Sequence, residues 1–233
     1  MKQYFLGIEF GSTRIKAVLL DEKHAIVKSG DYTWKSSLEN GVWTYHMEDV
    51  QEGLRTAIRN LGKLPGKISA MGVSGMMHGY LAFDKDWNLL APFRTWQNTM
   101  TGEAADKLTE AFGFNIPQRW SAAHLYQAVL NGEPHVKNIA HVTTLAGYVH
   151  YLLTGENVLG VGEASGMFPI DSEALSYDAA MLDKFDALMA KYGFDWNIRA
   201  VLPEVRTAGQ SAGLLTPSGS EYLGGLLPAG IPL

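Results

Sequence analysis

Gly7-Ile8-Glu9-Phe10-Gly11-Ser12-Thr13-Arg14-Ile15-Lys16 is the stretch on which the fold turns. A short β-rich run, Gln3–Phe10, carries the carboxylate Glu9 near its end, breaks at Gly11-Ser12-Thr13 and resumes as Arg14–Leu20. Two such runs predict a hairpin, and a third at 25–34, beyond Asp21-Glu22-Lys23-His24, extends it to an antiparallel meander. The same turn has the parts of a phosphate site. Glycine permits close backbone approach, exposed N–H groups and hydroxyls donate to oxygens, and a nearby carboxylate can hold Mg²⁺ directly or through water. A plain tight hairpin with Ser and Thr chosen for turn chemistry reads equally well from spacing alone. Lys16 is either a phosphate contact or a solvated charge on the strand.

Beyond the meander, Val50, Leu54, Ala57, Ile58 and Leu61 have helical spacing behind an acidic first turn, predicting a helix that stops at Gly62. Residues 68–73 and 80–83 read as strands, and 101–112, 121–130, 144–153 and 177–192 as helices, with Gly113, Gly132, Gly155 and Gly193 at their ends. The glycine- and proline-rich stretch from Ala208 onward reads as loops around one short helix. The pattern predicts a mixed α/β sheet flanked by helices rather than a regular βαβ array. Two glycine clusters are set aside. The stretch from Gly62 to Ile68 has too short a glycine spacing for a P-loop, and 160–166 is one residue too long for a dinucleotide fingerprint and follows no convincing strand-to-helix pattern.

Composition narrows the function classes. The 233 residues suit one large domain or two small ones, and 46% hydrophobic with 18% charged residues is a globular balance. A net charge of −5 without a long basic block argues against a nucleic-acid partner. Cysteine is absent, which removes disulfides, thiolate zinc sites and Cys nucleophiles, and the histidines show no paired metal-ligand spacing. An early acidic residue and the lack of a run of about 18 apolar residues predict a soluble, cytoplasmic chain with no membrane partner.

Four further segments accompany the phosphate turn in order: Gly72-Val73-Ser74-Gly75-Met76-Met77-His78-Gly79, Pro92-Phe93-Arg94-Thr95-Trp96-Gln97-Asn98, Tyr148-Val149-His150-Tyr151-Leu152-Leu153-Thr154-Gly155-Glu156, and Gly162-Glu163-Ala164-Ser165-Gly166 followed by Asp171. With them the chain resembles the FGGY family of carbohydrate kinases, most closely its xylulokinase-like branch. The segments are similar to its Gly-x-Asp-x-Gly-Thr-Thr/Ser, Gly-Gln-Met-His-Gly, Pro-x-x-x-Trp-Asn-Asp, Tyr-x-x-x-x-Leu-Thr-Gly and Ser-Asp-Ala-Ala/Ser-Gly signatures.

The resemblance implies a ribonuclease-H-like, actin-type domain spanning residues 1–233, with 226–233 starting an inter-domain linker. It implies ATP-dependent phosphorylation of a ketose or polyol, with a second lobe in cis or trans supplying most of the adenine pocket, so that the chain alone is poorly active; a homodimer is a further expected partner. ATP and Mg²⁺ are the implied cofactors. Gly11, Ser12, Thr13 and Lys16 would meet the phosphates and Glu9 would organise Mg²⁺. Met77, His78, Trp96, Gln97 and Asn98 would form the sugar pocket, and Glu163 would be the general base.

Each pocket role has a structural alternative: Met77 as core, Trp96 as a half-buried strand residue, His78 as a satisfied polar group. Glu replaces the signature Asp at positions 9 and 163, lengthening each arm by about 1.5 Å, and a misplacement of about 1 Å can cost roughly 100-fold in rate. Gln97-Asn98 also lacks the negative charge of Asn-Asp. A catalytically silent sugar-binding or regulatory module is therefore the competing reading, and a different actin-like ATPase a third. The leading one requires Glu9 and Glu163 to flank a single cleft.

Overall fold

The computed structural model describes residues 2–233. The strands β1 (Gln3–Phe10), β2 (Arg14–Leu20) and β3 (Ile26–Thr33) are followed by a small hairpin, β4 (Ser37–Glu39) and β5 (Val42–Thr44), then α1 (Met47–Arg59) and β6 (Lys67–Gly75). Next come β7 (Leu81–Phe83), α2 (Gly102–Phe112), α3 (Ser121–Leu130), β8 (His141–Thr143), α4 (Leu145–Thr154), β9 (Val158–Gly160) and α5 (Val161–Ala164). The chain closes with β10 (Ile170–Asp171), β11 (Ser176–Tyr177), α6 (Ala179–Met189), α7 (Ile198–Val201), β12 (Glu204–Arg206) and α8 (Pro217–Tyr222).

The central sheet has the order β3-β2-β1-β6. The predicted meander forms its antiparallel part, and β6 joins parallel to β1, so the sheet is mixed. Every second residue of β1 (Tyr4, Leu6, Ile8, Phe10) is buried, as period-two alternation demands of a strand with one covered face. Val50, Leu54, Ala57 and Ile58 of α1 join these residues in one apolar core with Leu145, Val149 and Leu153 of α4. A second core gathers Tyr80, Leu108 of α2, Leu125 of α3 and Phe185 of α6. The two cores meet across β7, where Leu81 and Phe83 join the first and Ala82 joins the second.

The structure departs from the sequence reading in several places. The β4–β5 hairpin was passed over although Asn40 and Gly41 take the positive φ values (49° and 81°) that an Asn-Gly turn needs; strands of three residues are too short to show a period. β9 running into α5 shows that a strand-to-helix turn does exist at Gly160, contrary to the pattern read there. α6 begins at Ala179 because Ser176 and Tyr177 pair with Asp171 and Ile170. Residues 226–233, expected as the start of a linker, pack into the domain: Leu227 and Ile231 are buried, and the Pro232 carbonyl accepts from the Met71 amide at 2.8 Å. Among the described residues no helix is long and apolar enough to cross a membrane.

Candidate active site

The Gly11-Ser12-Thr13 turn caps the β1–β2 hairpin, closed by the Gly11 amide on the Arg14 carbonyl at 2.9 Å. Its three carbonyls are all held from the protein side. Trp34 donates Nε1 to Gly11 O (2.7 Å) and its backbone N–H to Thr13 O (3.1 Å), and the Tyr45 hydroxyl donates to Ser12 O (2.7 Å). The two aromatic rings pack together with centroids 4.3 Å apart. The Ser12 and Thr13 amides, by contrast, donate to no protein acceptor. A peptide turn whose carbonyls are tied back presents its N–H dipoles to an anion. Tyr45→Phe removes one tie for about 1 kcal/mol of stability; it is expected to leave the chain folded and to weaken binding of a small anion such as pyrophosphate several-fold, read by titration of the chain. Unchanged affinity would show that the turn holds its shape without that bond.

Glu9 lies one residue before the β1 end and directly across the hairpin from Lys16, and the pair forms an ion pair at 3.2 Å. Both side chains are about half exposed, so the pair mainly cancels charge. Glu9, Gly11 and Ser12 form one wall of an open cleft of about 500 Å³; the rest is Gly75, Met76, Met77, His78, Trp96 and Arg119. Met77 is 37% and Trp96 44% exposed, too open for core roles. His78 has φ +72°, rare outside glycine, and is followed by Gly79 at φ +105°. Its Nδ1 lies 3.1 Å from the Gly166 carbonyl. Burial lowers the ring's pKa, with the Gly166 bond opposing it and the Arg119 charge adding to it. A neutral ring that donates through Nδ1 keeps Nε2 as an acceptor.

Not every expected residue reaches this cleft. Thr13 and Gln97 are absent from its walls, and Lys16 touches it only through Glu9. Asn98 is buried and spent on structure: its Oδ1 accepts from the Trp43 amide and its Nδ2 donates to the Trp43 carbonyl, both at 2.8 Å, pinning the β4–β5 hairpin. Its assignment to sugar binding is therefore corrected.

Glu163 also lies elsewhere. It lines a neighbouring cavity of about 680 Å³ with Ser74, His150, Arg206 and Gln210. The two spaces divide along the end of β6: Gly72, Val73 and Ser74 line this second cavity, and Gly75, Met76 and Met77 line the cleft. One carboxylate oxygen is buried with no partner, and burial pushes the Glu163 pKa up to about 7 against a hydrogen bond from Thr144. The expectation that residues 9 and 163 flank a single cleft is not met by these walls. Arg119 was missed altogether: it belongs to no motif and only packing brings it to His78.

A model of the N-terminal domain of the FGGY family of carbohydrate kinases matches residues 4–233. The chain is 24% identical over 245 residues to a glycerol kinase of Thermococcus gammatolerans, covering 98% of this chain and 47% of that protein. It is 23% identical to a xylulose kinase of Haemophilus influenzae, covering 94% of this chain and 47% of that protein. Among solved structures, gluconate kinase from Lactobacillus acidophilus superposes with a TM-score of 0.83 at 18% identity over 100% of this chain and 47% of that one. Plasmodium falciparum glycerol kinase with ADP superposes with a TM-score of 0.78, also at 18% identity, over 100% of this chain and 47% of that one. These neighbours share the actin-like ATPase fold. The chain spans about half the length of the curated relatives it matches.

Proposed function

Because the chain belongs to the FGGY family of carbohydrate kinases, we propose that it is the sugar-binding and phosphate-turn lobe of an ATP-dependent kinase acting on a ketose or polyol. The observation that carries this reading is the meeting, in one cleft, of the Glu9-Gly11-Ser12 turn with Met77, His78 and Trp96. An exposed indole face covers the C–H face of a carbohydrate, and the neutral His78 ring offers an acceptor to a hydroxyl. The free amides of the turn suit phosphate oxygens, and a Cβ at Gly11 would stand 3.1 Å from the Arg14 carbonyl, so the tight turn that presents them favours glycine.

The donor set also suits ATP with Mg²⁺. Glu9 is the cleft's only acidic wall residue, and among the described residues no three His, Cys, Asp or Glu gather as a metal site. One carboxylate fits an ion that arrives with phosphates and keeps most of its waters. ATP would supply the phosphoryl group and Mg²⁺ would neutralise its charge. The chain's own residues orient the hydroxyl and grip the phosphates. The sugar's proton is not assigned to Glu163 in this reading, because that carboxyl faces the second cavity.

In a form carrying both lobes, Glu9→Gln is expected to reduce phosphoryl transfer about 100-fold while a sugar still raises the melting temperature. Unchanged transfer would remove Glu9 from the phosphate site. A melting temperature indifferent to every ketose, polyol and aldose would end the sugar-kinase reading. Sugar binding without any response to MgATP in the two-lobed form would favour a silent module, for which the Glu at position 9 and the sequestered Asn98 are the supporting observations.

A further inference from the structure

We infer that Arg119 is the specificity residue of this cleft and that it takes the carboxylate at one end of a polyhydroxy acid, so the preferred ligand is an anionic polyol rather than a neutral sugar. The inference rests on the sugar-binding reading above and adds a charge to it.

The chain has seven arginines. Six of them are engaged within the protein: Arg14 with Asp31, Arg55 with the Tyr222 carbonyl, Arg59 with Glu52, Arg94 with Glu133, Arg199 with Asp183 and Arg206 with Glu204. Among the described residues the Arg119 guanidinium alone has no hydrogen bond and no ion pair, and it stands in the wall of the cleft beside His78. Its backbone is anchored there. The Arg119 carbonyl accepts from the Gly79 amide at 3.4 Å, and the Ser121 hydroxyl, two residues on, donates to the Gly79 carbonyl at 2.5 Å. The segment bearing the guanidinium is thus clamped to the strained His78-Gly79 corner rather than left on a free loop.

The rest of the cleft leaves this cation uncompensated. Glu9 is answered by Lys16, burial disfavours the charged form of His78, and the asparagine at position 98 is both uncharged and committed to Trp43. A guanidinium presents paired N–H donors in a plane that matches a carboxylate, and such charge-assisted pairs are stronger than neutral hydrogen bonds. Phosphate oxygens share that chemistry, so a nucleotide phosphate is the competing anion.

The 233-residue chain, without nucleotide, is titrated with length-matched pairs: xylonate against xylitol, and gluconate against sorbitol. The acids are expected to bind at least about 10-fold more tightly. Arg119→Gln is expected to bring each acid down to the level of its polyol, with Arg119→Lys in between. Equal affinity for acid and polyol, or a variant that weakens both alike, overturns the inference and leaves the sugar-binding reading standing. If Arg119→Gln lowers only the affinity for MgATP in the two-lobed form, the guanidinium belongs to the nucleotide and the inference is also overturned. Binding of none of the four compounds overturns the sugar-binding reading and this inference with it.

Discussion

Near pH 8, Glu163→Gln is expected to be more stable than the parent chain by roughly 3 kcal/mol, and near pH 4 the two are expected to be about equal. The Glu163 carboxyl is mostly buried, and its pKa rises from 4.5 to about 7, first because burial penalises the charged form. Below the unfolded value the group is protonated in folded and unfolded chains alike, so it contributes no difference. As pH climbs toward 7 the folded chain keeps a proton that the unfolded chain has given up. Stability then falls by about 1.4 kcal/mol per pH unit until the folded group ionises as well. Glutamine keeps the shape and never ionises. Urea titrations of both chains across this range check the prediction, and parallel stability curves would show that Glu163 is solvated. The same variant separates structure from chemistry in a two-lobed form: transfer is expected to persist within about 10-fold, whereas a loss of several hundred-fold would reinstate Glu163 as the general base.

Gly30→Ala is expected to cost about 3 kcal/mol or more. Gly30 sits on β3 under α1, and a Cβ there would lie 2.2 Å from the Ala57 carbonyl oxygen and 2.9 Å from Asn60. These are backbone and Cβ atoms near the end of the helix, which the Asn60 side chain also ties to the Asp31 carbonyl at 2.9 Å. No rotamer change relieves the overlap, so the helix must withdraw. That withdrawal reaches the phosphate turn, because α1 also backs Ile15 on its return strand: a Cβ on Gly53 would come within 2.5 Å of the Ile15 side chain. Gly7→Ala is the control, since its added methyl meets nothing closer than 4.0 Å; it is expected to be neutral or slightly stabilising. Similar losses at both positions would mean that close packing under α1 is not what requires glycine.

The legible parts of this protein were those whose partners are near in sequence. The turn at Gly11-Ser12-Thr13 sits between two strands that fold onto each other, so spacing alone put Glu9 before the turn and Lys16 on the return strand, and the register of the hairpin set them opposite each other. Helix ends were marked by glycines that take positive φ, as at Gly113 and Gly155. Met77, His78 and Trp96 were readable as pocket candidates from their motifs, but only their exposure in a shared cleft separates that role from core packing. Asn98 was misread because its partner, Trp43, lies 55 residues away on a hairpin too short to announce itself. Trp34 was read as the last residue of a strand that in fact ends at Thr33, and its grip on Gly11 could not be seen.

The amino-acid order, taken alone, determined the mixed sheet and the set of chemical groups available, because strand alternation, helix periodicity and glycine conformation act between residues a few positions apart. Tertiary packing decided which of those groups share a space. Residues 74 and 75 face different cavities, Glu163 is divided from the cleft by the end of β6, and Arg119 is brought to His78 by bonds to Gly79. Burial and charge pairing depend on what the rest of the chain places alongside a residue, and local spacing carries no record of it.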